Sequence, residues 1–147
     1  WSTARRRWVG GTLAAVVLAA MAVLYSLSPT DRGRGTHRQL GLSPCASIVP
    51  TGYPCVGCGV TTSLTAMSRG RFVYAAQCHL FGVFAFLAVI ALGMMGAAQA
   101  ISGRNFLKIV RIGVRKWYSL AGVVVLLGGW KLKLAIGIAD GTYPIGR

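Results

Sequence analysis

Apolar residues in this chain do not alternate with polar ones. They collect in three long blocks that lack charge. The first runs from Trp8 to about Leu27 and reads WVGGTLAAVVLAAMAVLYSL. At the helical rise of about 1.5 Å per residue it is long enough to cross a bilayer core. In the second, no Asp, Glu, Lys or Arg occurs between Arg71 and Arg104, and the apolar heart is Leu80 to Ala98. The third begins at Trp117 and reads WYSLAGVVVLLGGW before Lys131. That heart is short for a span. It reaches bridging length if Lys131 and Lys133 snorkel and the helix continues from Leu134 to Ala139. The pattern predicts an all-α integral membrane protein, a single membrane domain with transmembrane helices at about 8–27, 79–100 and 117–138. Arg5 to Arg7 make a basic start like that of a signal peptide, but the apolar run is longer than a typical signal core and no A-x-A site follows it. The expectation is a retained helix.

The segments between the blocks differ from one another. Residues 28–44, SPTDRGRGTHRQLGLSP, are dense in Pro, Gly, Ser and Thr and read as a loop, with His37 a solvated member of it. Residues 44–70 hold a cysteine loop and a short helix. On that helix Thr61, Thr65 and Ser68 share one face, with Leu64 and Met67 on others. Residues 104–116 are basic. Arg104, Lys108, Arg111 and Arg115 recur at spacings of four, three and four, so they share a helical face that, with Lys116, is expected to rest on anionic lipid headgroups.

Charge sharpens this picture. Only 12% of the 147 residues are charged and 54% are hydrophobic, with 16 Lys and Arg against 2 acidic residues and a net charge of +14. A soluble domain carries about 25% charged residues. A nucleic-acid-binding domain would explain the charge but not the mean hydropathy of +0.61, so no nucleic-acid partner is expected. Three spans divide the basic residues evenly. Arg5, Arg6, Arg7, Arg104, Lys108, Arg111, Arg115 and Lys116 fall on one side, and Arg32, Arg34, Arg38, Arg69, Arg71, Lys131, Lys133 and Arg147 on the other. The tie is broken by the charges tight against a span, Arg5–Arg7 and Arg115–Lys116, which favour a cytoplasmic N-terminus in a bacterial inner membrane.

The chemistry-bearing residues are Cys45, Cys55, Cys58 and Cys78. Cys55 and Cys58 form a CxxC pair, with Pro54 and Gly57 shaping the turn and Gly59 preceding the short helix. A metal site, zinc by ligand type, would use the CxxC thiolates completed by Cys45, Cys78 or His79. A redox motif would use the same pair. Structural disulfides, or a packed turn with free thiols, are the other readings. Acid–base catalysis has little to draw on, since the acidic residues are Asp31 and Asp140 and the imidazoles are His37 and His79. This inventory leans against an enzyme.

The stretch from Cys55 to Thr62, CVGCGVTT, resembles the CPxCGxTR signature of an uncharacterised bacterial membrane family, domain of unknown function 2752. The resemblance covers about Pro44 to Trp130 and rests on Cys55, Cys58, Gly59 and Thr61. Val56 stands where the family commonly has Pro, Thr62 where it has Arg, and His79-Leu80 where it has Asn-Pro. The resemblance implies the helical membrane architecture and no reaction. The functional expectation is an accessory or scaffolding subunit that associates with itself or other membrane subunits. Gly93 with Ala97, Gly82, and Gly122 with Gly128-Gly129 supply small faces for helix contact. The alternative is a metal-binding or thiol-redox membrane protein using the CxxCG turn.

Overall fold

The computed structural model describes residues 2–106 and 116–144. Its elements follow the apolar blocks. α1 spans Thr3–Ser26, a 3₁₀ turn Thr36–Leu40, α2 Ile48–Thr51, α3 Val60–Ser68, α4 Phe72–Cys78, α5 Leu80–Ser102 and α6 Lys116–Ala139. No strand occurs among the described residues. Three helices are long and apolar enough to cross a membrane: Thr3–Ser26, Leu80–Ser102 and Ser119–Ala139. Large apolar side chains such as Trp8, Leu18, Phe84, Met94 and Val124 point outward from them, as lipid-facing residues do. The expected basic segment falls largely elsewhere: Lys108, Arg111 and Arg115, with the Lys116 side chain, lie outside the described residues.

α1 and α5 run antiparallel and meet backbone to backbone. A Cβ on Gly10 would lie 2.6 Å from the Gly96 carbonyl oxygen and 2.8 Å from the Ala100 nitrogen. A Cβ on Gly93 would lie 2.7 Å from a Val17 methyl carbon. Such contact needs glycine on both faces, since dispersion between close helices is the main attraction available in lipid. Polar groups finish the crossing. Gln99, 2% exposed, donates to the Arg6 carbonyl at 3.0 Å. The Arg7 guanidinium donates at 3.3 Å to the carbonyl of Ile101, in the last turn of α5 that no following turn satisfies.

The opposite end of this pair carries the cysteine segment. Arg69, just after α3, donates to the carbonyls of Leu27 at 3.1 Å and Tyr25 at 2.9 Å and lies over the Tyr25 ring at 5.4 Å. It therefore caps α1 and ties α3 to it. The buried residues of α3 are Thr62, Ser63, Thr65, Ala66 and Met67. Thr61, Thr65 and Ser68 follow one another through hydroxyl-to-carbonyl bonds, and hydroxyls and apolar groups share the buried side of the helix. This is possible because each buried hydroxyl has a partner. Thr65 donates to the Thr61 carbonyl at 2.8 Å, Ser63 to the His79 carbonyl at 3.0 Å, and Thr62 pairs with Thr36 at 2.9 Å. Ala66, Met67 and Ala75 form the small apolar core between α3 and α4.

Candidate functional site

The thiol turn is built by short-range hydrogen bonds. Cys45 opens the turn that leads into α2, its carbonyl accepting from the Ile48 N–H at 3.1 Å. The Cys58 N–H donates to the Cys55 carbonyl at 2.9 Å, folding the CxxC unit so that both side chains leave on one side. Gly59 then turns left-handed, φ +96°, and its carbonyl accepts the first bond of α3 from Ser63 at 2.8 Å. The sulfurs of Cys45, Cys55 and Cys58 all lie within 4.8 Å of one another. Cys58 is buried and the other two are half-buried.

Their protonation is unequal. Burial pushes the Cys45 thiol up. The backbone N–H groups of Cys55, Ile48 and Ser47 and the Cys55 side chain point at its sulfur and outweigh that, bringing it down to about 6. Burial pushes Cys58 up to about 12, helped by its hydrogen bond to Cys45 and by the nearby charges of Cys55 and Cys45. The pair therefore holds a thiolate at Cys45 and an S–H donor at Cys58. A divalent ion entering here would displace the Cys58 proton, as thiolate-binding metals do.

Cys78 and His79 do not join this group. Cys78 is 2% exposed, and its thiol is pushed up by burial although the Tyr74 hydroxyl bonds to it and Lys133 and Arg71 stand near it. His79 is the residue before α5, and its Nε2 lies 3.1 Å from the Val56 carbonyl. A carbonyl only accepts, so Nε2 carries the proton. Burial, against the pull of the Val56 carbonyl, keeps the imidazole neutral. Its Nδ1 is buried without a hydrogen-bond partner among the described residues, against Gly129 of α6.

The glycines also sort differently from expectation. A Cβ on Gly57 would meet nothing within 4 Å, so the CxxC turn places no steric demand there. Gly59 carries the demand. Its Cβ would lie 2.5 Å from Lys133 Nζ, 2.7 Å from the Cys78 carbonyl and 2.9 Å from the Gly33 carbonyl.

That neighbour is the residue the sequence reading missed. Lys133, expected to snorkel, turns inward instead. Its ammonium donates to the carbonyls of Cys78 at 2.9 Å, Cys58 at 3.2 Å and Gly33 at 3.2 Å. Three donors meet three acceptors, which offsets the cost of holding the charge away from water. One turn earlier on the same face, the Trp130 indole donates to the Pro54 carbonyl at 2.9 Å. The available signal was a lysine set three residues after a tryptophan inside an apolar run.

The fold and this turn define a multi-pass helical membrane protein with a three-thiol site at one end of its spans. Residues 45–93 match the model of a family described as a protein of unknown function, DUF2752. The match starts at Cys45 and ends at Gly93 within α5, so it is shorter than the resemblance read from the sequence, and Trp130 and Lys133 lie beyond it. No curated protein and no solved structure matches the chain.

Proposed function

We propose that this protein is a metal-binding protein of the bacterial inner membrane, holding a thiophilic ion, zinc by preference, through Cys45, Cys55 and Cys58. The observation that carries the reading is the convergence of three sulfurs within 4.8 Å from two separate turns. Zinc–sulfur bonds of about 2.3 Å require sulfur pairs about 4 Å apart, so binding asks for a closure of no more than about 1 Å. Three protein ligands leave a fourth position for water or an incoming ligand, the arrangement of exchange or catalytic sites rather than of closed structural ones.

With Arg5–Arg7 on the cytoplasmic side, the thiol turn at the far end of α1 and α5 faces outward. Arg104, beside the start of α1 through the Gly103–Thr3 contact, joins those arginines toward anionic headgroups. The accessory-subunit reading rests on fewer small residues than the sequence offers. Gly93 and Gly96 pack on α1, Gly82 lies against Ser63 and Gly129 against His79, while Gly11, Gly122 and Gly128 stay open.

The test is metal content of detergent-purified protein, with zinc titration against a chromophoric chelator. The expected result is one zinc per chain, lost in Cys55→Ser and Cys58→Ser and kept in Cys78→Ser. Wild-type protein that neither carries zinc nor takes it up at micromolar concentrations overturns the reading. An intact mass lower by about 2 Da would make the turn a disulfide instead.

A further inference from the structure

We infer that the third span is a latch for the thiol turn, with Lys133 and Trp130 as positioning residues for Cys55 and Cys58. The inference deepens the metal-site reading, but its geometry stands whether or not an ion binds. Four carbonyls of the thiol segment and its flank are held from outside: Pro54 by the Trp130 indole, Val56 by the His79 imidazole, and Cys58 and Cys78 by the Lys133 ammonium. A peptide group has two ends, so fixing its carbonyl fixes the direction of the N–H on the other side. Holding the Pro54 carbonyl therefore fixes the peptide that leads into Cys55.

Two further observations place the control in α6. Gly59 has no room for a side chain because the Cys78 and Gly33 carbonyls and the Lys133 ammonium they hold close in on it together, so the CxxCG glycine is part of the docking site as well as a turn. Lys131, two residues away, is exposed on the other side of the helix and makes no such contact. Outer groups that orient metal ligands change metal affinity by about 10–100-fold when removed. The ammonium also places a positive charge beside a site that three thiolates and a divalent ion would leave net negative.

Two readouts test this on the full chain in detergent micelles. The first is alkylation of Cys58 in chelator-treated protein, which needs no metal. The second is zinc affinity by chelator competition. Lys133→Met is expected to label Cys58 at least tenfold faster and to weaken zinc binding about 10–100-fold. Trp130→Phe, which keeps an aromatic though smaller side chain and removes the indole donor, is expected to weaken binding by up to tenfold, and Lys131→Met to change neither. Circular dichroism checks that each variant keeps its helices. If Lys133→Met does not fold, Trp130→Phe decides. Wild-type labelling and affinity in the variants overturn the latch. A wild type that binds no zinc while Lys133→Met still exposes Cys58 overturns the metal site and leaves the latch standing.

Discussion

At the scale of single residues, the thiol turn separates chemically similar groups by what points at them. Cys45 and Cys58 belong to one cluster, yet backbone N–H groups draw one down to about 6 and burial lifts the other to about 12. Iodoacetamide at pH 7, on metal-free protein, should therefore modify Cys45 and spare Cys58, and labelling of Cys45 should fall as pH drops below about 6. Peptide mass mapping reads both. The stability linkage has opposite signs. A depressed thiol such as Cys45 stabilises the fold above the ordinary thiol range near about 8.5 and loses that contribution as pH falls through about 6. Cys58 contributes below the ordinary range and loses it as pH rises toward about 12. Gly59 is the residue least open to change. Gly59→Ala meets both a left-handed φ and the Lys133 ammonium, and should cost about 1–3 kcal/mol in unfolding measurements. Gly57→Ala, with open space around it, should cost under about 0.5 kcal/mol.

At the scale of elements, the long helices were legible because a bilayer requires a long apolar run of a span, and the chain has two without charge and a third interrupted by Lys131 and Lys133. The short elements were less so. The sequence pattern placed no helix just before the second span, and the structure has α4 there, a seven-residue helix ending at Cys78. Periodicity is a poor guide over so few residues. On α3 it grouped the hydroxyls on one face but could not show that hydroxyls bonded to carbonyls are buried beside apolar groups. The crossing of α1 and α5 gives a prediction of its own. Gly96→Val should force the helices apart and cost about 1–3 kcal/mol in thermal or denaturant unfolding. Gly122→Ala should be close to neutral, since nothing lies within 4 Å of that position.

At the scale of the whole molecule, the candidate site was half legible. CxxC announces a thiol pair, and Cys45 was a named third ligand. Cys78 and His79 were drawn in by their neighbourhood in sequence, but a helix break between them sends the thiol toward Tyr74 and the imidazole toward Val56. Lys133 and Trp130 were invisible as site residues because the chain places them more than seventy positions away from the turn they hold. Orientation in the membrane is tested at this scale too. A membrane-impermeant maleimide added to intact cells should reach Cys45 from outside, and should reach it only after lysis if the N-terminus is external.

The notch at Gly59 reaches beyond this one chain. The lysine head needs the open space beside Gly59, while the left-handed turn and the Cys78 and Gly33 carbonyls demand glycine there on their own, so the dependence should run one way. In full-length relatives, a lysine at the position of Lys133 should coincide with glycine after the second cysteine of the pair. Where the third span brings something other than lysine, the glycine should still be kept. Such a one-way dependence would be a record of the docking written in ancestry, readable without purifying any protein.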